Sequence, residues 1–288
     1  MTGAARVGLV GGSGLYGLPG LGVEEEVRLE SPFGAPSDAY VLGTLSGVPV
    51  AFLSRHARGH KLTPSEINYR ANVWGFKKLG CDALLSVSAC GSMKVEYRPS
   101  DVVLPDQIVD RTTRRISTFF GDGCVVHVSM AHPICPSLRA ALRGAAEKER
   151  ARVHDGGVYL CIEGPQFSTL GESRLYRSWG VDVIGMTNAT EAKLAREAEL
   201  CYATMNLVTD YDCWHEEEQA VTVDAVLAVL RTNAEAANRI LSEAVTAVDP
   251  ARGCSCRDAL RFAFLTRPED VPAAARECVS LLTGKYGR

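Results

Sequence analysis

The sequence predicts one α/β domain, residues 1–288, with a mixed central sheet flanked by helices. Three observations predict it. Strand-like apolar runs and helical patterns alternate along the chain. No internal repeat, low-complexity linker or boundary divides it. The apolar run 202–208 reads as a buried strand with two carboxylates, Asp210 and Asp212, just past its end. Open α/β sheets bind ligands at such strand ends.

The bulk numbers exclude several classes. Of 288 residues, 46% are hydrophobic and 23% charged, ordinary for a soluble globular protein. The net charge of −3 gives no basic footprint for nucleic acid. No apolar run reaches the roughly 18 residues that span a bilayer. The N-terminus lacks the basic-then-apolar pattern of a signal peptide, so a cytoplasmic protein is expected. Most of the ten cysteines sit in apolar runs, as buried small hydrophobes do. No Cys-x-x-Cys pair argues for zinc, and no metal or organic cofactor is expected. Cys254-Ser255-Cys256 reads as two free thiols in a loop, with a strained disulfide or a redox pair as alternatives.

In chain order, residues 7–10 form a strand that ends in Gly11-Gly12-Ser13-Gly14. Gly12, Gly14 and Gly17 satisfy G-x-G-x-x-G, but a dinucleotide fold needs a helix here. Leu18-Pro19-Gly20-Leu21-Gly22 break one. The turn can offer N–H groups and the Ser13 hydroxyl to an anion, or merely join two strands. The acidic runs Glu24–Glu26 and Glu216–Glu218 read as solvated faces.

Residues 40–45 and 48–53 read as a hairpin across Ser46-Gly47. It runs into Ser54-Arg55-His56-Ala57-Arg58-Gly59-His60, a dense cationic cluster suited to an anion. A helix is expected to open at Thr63-Pro64-Ser65-Glu66, a capping box, and to end at Gly80. The strand 83–88 then leads to a small, hydroxyl-bearing loop, Ser88-Ala89-Cys90-Gly91-Ser92.

Residues 101–104 suggest a further strand, and 110–136 lack periodicity. An irregular stretch that long is usually functional or interfacial. Helices are expected over 136–151, 190–199 and 222–248, the last stopped by Asp249-Pro250. A C-terminal extension, 250–288, carries the cysteine pair and helical patterns near 257–265 and 271–283.

Asp-x-Asp after a strand fits a turn or helix cap, a solvated loop or part of a metal site. The neighbouring Tyr211 and Trp214 favour an aromatic ligand. Hydroxyls and cations on three loops (Ser13, Arg55-His56, Ser88-Ala89), with Thr187, share the chemistry of an oxyanion cradle. A phosphate site beside carboxylates and aromatics suits phosphorolysis of a nucleoside.

Taken together, Gly11-Gly12-Ser13-Gly14, Ser54-Arg55-His56, Asn68-Tyr69-Arg70-Ala71-Asn72, Ala89-Cys90-Gly91-Ser92, Glu163-Gly164-Pro165, Gly185-Met186-Thr187 and Asp210-Tyr211-Asp212-Cys213-Trp214 resemble the trimeric purine nucleoside phosphorylase family. The nearest branch resembles S-methyl-5′-thioadenosine phosphorylases. The resemblance implies a homotrimer acting on a small nucleoside, with inorganic phosphate as co-substrate. By it, Ser13, Arg55, His56, Ser88 and Thr187 bind phosphate beside the Ala89 backbone. Phe167 stacks on the purine, and Met186 lies against the ribose. Asp210 faces N7 as general acid, and Asp212 accepts from the 6-amino group. His127 reaches the neighbouring subunit's site near the 5′ substituent, where Val223 also lines the pocket. Gln166 stands where relatives often have Arg.

A carboxylate reads an exocyclic amine and repels a carbonyl, so the Asp pair favours adenine-type nucleosides. The alternative is a 6-oxopurine or methylthioinosine phosphorylase. Rivals of other classes are a non-catalytic binding module and a hydrolase that needs no phosphate.

Overall fold

A computed structural model describes residues 7–215, 223–249 and 254–287. In chain order the elements are β1 (Val7–Gly11), β2 (Gly22–Val27), β3 (Tyr40–Leu45), β4 (Val48–Ser54), α1 (Tyr69–Lys78), β5 (Ala83–Ser92), β6 (Val102–Leu104), β7 (Gln107–Asp110), α2 (Pro136–Lys148), β8 (Val153–Asp155), β9 (Val158–Cys161), α3 (Leu170–Ser178), β10 (Val183–Gly185), α4 (Asn188–Glu197), β11 (Cys201–Asp210), α5 (Val223–Ala247) and α6 (Ala273–Thr283). The strands make one mixed sheet in the order β2-β3-β4-β1-β5-β10-β9-β7; β11 joins β5, β6 joins β11 and β8 joins β6. The α/β class and the mixed sheet are as the sequence predicts.

The near-continuous apolar runs of β5 and β11 explain the layering. A strand buried on both faces needs cover on both. Cys201 to Thr209 are all buried. The helices α2 and α5 pack on each other and on β11; α1 and α4 form a second pair, and α4 also packs on β11, β5 and β7.

The sheet forks at β5, and the fork makes the site. Residues 83–87 of β5 pair with β1 in parallel, and Gly91 and Ser92 pair with β10 in antiparallel. On its other edge β5 follows β11 from Ala83 to Gly91. Between Ser88 and Cys90, β5 therefore has no strand on its β1 side among the described residues.

Several elements differ from expectation. Glu66 closes on Thr63 as a capping box should, accepting from its N–H at 2.9 Å and its hydroxyl at 2.7 Å, but the motif makes only a turn. The helix α1 begins at Tyr69, where Asn68 Oδ1 accepts from the Ala71 N–H and Asn68 Nδ2 donates to Phe33 O at 2.7 Å. That tertiary anchor fixes the later cap. The run Glu24–Glu26 is exposed, as read, yet it forms part of edge strand β2 against β3. The helical pattern near 257–265 yields only a short 3-10 turn, Ser255–Asp258. Ser88 to Ser92 is strand rather than loop, because β11 and β10 continue the ladder. The run Glu216–Glu218 lies outside the described residues.

The C-terminal segment shares the main core: Cys256, Leu260, Ala263, Val279 and Leu282 are buried with residues of β1, β4 and α2. None of the ten cysteines forms a disulfide.

Candidate active site

The fork in the sheet opens into a cavity of about 460 Å³. That is within the range of small-molecule sites. Ser13, Arg55, His56, Ser88, Ala89, Phe167, Met186, Thr187, Asp210 and Asp212 all line it. Residues up to 199 positions apart in sequence therefore meet at one place.

One side is built for an anion. Arg55, at the end of β4, is 1% exposed and pairs with Glu191 of α4, itself 3% exposed. Its Nη2 donates to Glu191 Oε2 at 3.2 Å and to Ser86 Oγ at 2.6 Å; its Nη1 donates to Ser88 Oγ at 3.1 Å and to Val87 O at 3.3 Å. The planar fork expected to grip phosphate is thus engaged by protein groups, and Nη1, unlike Nη2, makes no bond to the Glu191 carboxylate. Ser88 Oγ donates to Asn188 Oδ1 at 2.9 Å, and so does Thr187 Oγ1 at 3.1 Å. Thr187 is the N-cap residue of α4, and its hydroxyl leaves the backbone N–H groups of the first turn uncapped. The positive end of a ten-residue helix therefore faces the same space.

His56 stacks on His60, with ring centroids 4.4 Å apart, and its Nδ1 lies 2.8 Å from Leu62 O. A carbonyl only accepts, so Nδ1 carries the proton. Burial, with the Arg55 charge beside it, pulls the imidazole down to about 3. His56 is neutral at pH 7, and its Nε2 presents a lone pair.

The other side is built for a flat ring and a proton. Asp210 Oδ1 accepts from the Asp212 N–H at 2.8 Å, and Oδ2 accepts from Thr209 Oγ1 at 2.6 Å. A bulge between Val208 and Asp210 turns the strand end. Gly91 is needed here: a Cβ at that position would lie 2.9 Å from Asp210 Oδ1 and 3.0 Å from Ile184. Burial pushes the Asp212 carboxyl up. Phe167 is 46% exposed and offers its ring at the mouth.

Met186 is fixed from behind. Gly164 has φ +65, and a Cβ there would meet Met186 Sδ at 2.4 Å, so only glycine fits. Arg115 donates from Nη1 to Met186 O at 3.0 Å and from Nε to Glu163 Oε1 at 3.0 Å. Burial works to raise Glu163, but hydrogen bonds from Ser65, the Thr113 and Arg114 N–H groups and Arg115 outweigh it and hold the carboxyl at about 2. Arg115 comes from the irregular stretch expected to be functional.

Residues 6–246 match the phosphorylase superfamily. The chain is 56% identical to the S-methyl-5′-thioadenosine phosphorylase of Koribacter versatilis, covering 98% of this chain and 97% of that one. It is 54% identical to the Gloeobacter violaceus protein of the same name, covering 98% and 96%. The chain belongs to the phosphorylase superfamily. Within it, the S-methyl-5′-thioadenosine phosphorylases are its branch. A methylthioadenosine phosphorylase from an antarctic soil metagenomic library superposes with a TM-score of 0.92 at 47% identity, covering 97% of this chain and 99% of that chain. The Schistosoma mansoni methylthioadenosine phosphorylase in complex with adenine superposes with a TM-score of 0.86 at 37% identity, covering 92% and 99%.

One expectation from the sequence meets a different placement. Tyr211 and Trp214 do not line the cavity. The Tyr211 hydroxyl donates to Val95 O, Trp214 Nε1 donates to Ser92 O at 2.7 Å, and Phe167 and Tyr16 are aromatic residues that do line it. His127 is exposed and outside its own chain's cavity; its N–H donates to Ala263 O at 2.8 Å. Val223 opens α5, and its side chain lies outside the described residues. Sequence reasoning missed Tyr16, whose hydroxyl meets Nδ1 of His60, a member of the cationic cluster, at 2.8 Å on the cavity wall. It also missed Glu191, Asn188 and Arg115, which hold the lining residues. Only burial shows them, since nothing in helix periodicity marks Glu191 as an inward charge.

Proposed function

We propose that the chain cleaves S-methyl-5′-thioadenosine by phosphorolysis, giving adenine and 5-methylthioribose 1-phosphate. The observation that carries the reading is one cavity with an anion cradle on one side and the carboxylate pair on the other. Hydrogen phosphate sits among Ser13, Ser88, Thr187, the Ala89 backbone and the α4 N-terminus. Arg55 supplies positive charge and can exchange its two Nη1 bonds, both to neutral groups, for phosphate oxygens. Neutral His56 offers Nε2 to the remaining P–O–H proton.

A phosphate oxygen attacks C1′ while the C1′–N9 bond breaks. Positive charge grows on the sugar, and the adjacent dianion stabilises it. The electron pair of the broken bond stays on the purine. Asp210 gives a proton to N7, and the proton lost by hydrogen phosphate balances the adenine product. Asp212 accepts from the 6-amino group, and Met186 and Phe167 hold the ribose and the ring. A methyl-sized preference at the 5′ position amounts to only about 10–200-fold, so adenosine and 5′-deoxyadenosine are expected as slow substrates. The chemistry calls for no cofactor beyond the co-substrate phosphate.

We further propose a homotrimer in which His127 completes a neighbouring site. Ten cysteines outside any disulfide suit a reducing compartment, and we place the enzyme in the cytoplasm. No helix among the described residues is long and apolar enough to cross a membrane.

The test is base release from S-methyl-5′-thioadenosine and from inosine, each with and without phosphate. Adenine released only with phosphate is the expected result. Preferential release of hypoxanthine would overturn the role of the Asp pair, and release without phosphate would mean hydrolysis.

A further inference from the structure

The fold gathers four cysteines that sequence spacing leaves apart. Cys135 is the N-cap residue of α2, and Cys201 is the first residue of β11. Cys254 and Cys256 flank the start of the 3-10 turn Ser255–Asp258. The four Sγ atoms all lie within 4.8 Å of one another, and those of Cys135 and Cys254 are 3.6 Å apart. Cys135, Cys201 and Cys256 are buried, and Cys254 is partly so. Four sulfurs bound to one zinc ion at about 2.3 Å stand roughly 3.8 Å from each other. The cluster needs only small side-chain shifts to reach that arrangement.

We propose that Cys135, Cys201, Cys254 and Cys256 bind one thiophilic divalent cation, Zn²⁺, in a closed tetrahedral site. Binding exchanges four S–H protons for the metal, and the centre carries a net charge of −2. The surroundings answer that charge. Arg196 Nη1 lies 3.7 Å from Cys256 Sγ. Arg257 lines the narrow cleft beside Cys135, Cys201 and Cys254, where it pairs with Asp82 at 3.3 Å, and Asp249 lines the same cleft. Cys135 also sits at the positive end of α2, a 13-residue helix that favours thiolate there. With four protein ligands, no position is open for a substrate.

The role is to staple the C-terminal segment to the sheet. Cys201 is nine residues before Asp210 on the same strand, about 30 Å away at strand rise. The metal therefore acts on stability and not on the reaction. The absence of Cys-x-x-Cys hides the site in the sequence, because one Cys-x-Cys is completed by two single cysteines from distant elements.

The test is metal analysis of the native full-length enzyme from zinc-supplemented cells, purified without chelator under reductant. About one zinc per chain is expected. The same protein made in cobalt-supplemented minimal medium should show the intense visible bands of tetrahedral cobalt–thiolate ligation. Cys254→Ser, at the least buried ligand, should weaken metal retention at least tenfold and lower the melting temperature with kcat unchanged. Cys278→Ser, outside the cluster, should keep the metal. Substoichiometric metal with no cobalt–thiolate bands in the native protein would overturn the proposal. So would recovery of the four residues as disulfides when freshly lysed cells are alkylated before reduction.

Discussion

At the scale of single residues, the proposed chemistry rests most heavily on Asp210. Its two oxygens accept from the Asp212 N–H and the Thr209 hydroxyl, which fixes the carboxyl plane against the cavity. Asp210→Asn keeps the shape and both hydrogen-bonding partners within reach but has no acidic proton for N7. The lost interaction exists only in the transition state, so kcat should fall about 10²–10⁴-fold with little change in the phosphate KM. Steady-state rates with S-methyl-5′-thioadenosine at saturating phosphate would check this, and an undiminished rate would remove Asp210 from the mechanism. Asp210 was legible in the sequence because a carboxylate at the end of an apolar strand is conspicuous. The bulge that turns it and the contact that demands Gly91 were not, since both depend on which strand lies alongside.

At the scale of elements, the Arg55–Glu191 pair ties the end of β4 to α4 and sets the floor of the anion side. The two residues are separated by 136 positions, and both are almost wholly buried. Removing one member of such a pair leaves an uncompensated charge, at a cost of about 3–5 kcal/mol. Glu191→Gln is therefore expected to lower the melting temperature by roughly 6–15 °C and to raise the phosphate KM, as Arg55 shifts from Ser88. Thermal scans and phosphate saturation curves read the two effects separately; a variant with wild-type stability would contradict the account. The cationic loop after β4 was legible from Arg55 and His56, but its partner lies in the helix expected over 190–199, where nothing in the pattern marks Glu191 as an inward charge. Element ends were obscure for a related reason. Thr63 and Glu66 form a genuine box, yet the bond from Asn68 to Phe33 starts α1 later. The small residues Ser88 to Ser92 look like a turn, yet neighbouring strands extend β5 through them.

At the scale of the whole molecule, the cavity of one chain lacks a residue that the resemblance assigns to it. His127 is exposed, while Phe119, Phe120 and Cys124 of the same irregular stretch are buried in the core. Leu265 N–H donates to Val125 O at 3.0 Å, which sets two exposed apolar side chains beside His127. Phe262, 90% exposed, stands on the same C-terminal stretch. An apolar surface next to an unpacked histidine is what a subunit contact requires. Light scattering should give three times the 31.0 kDa chain mass. Phe262→Asp should shift the enzyme toward the single-chain mass and lose activity in proportion. His127→Ala should leave the trimer intact and raise the S-methyl-5′-thioadenosine KM about tenfold, the equivalent of one lost contact near 1.4 kcal/mol. A fully active single chain would show that the site is complete without its neighbour, and His127 would then be a surface residue of the irregular stretch and nothing more.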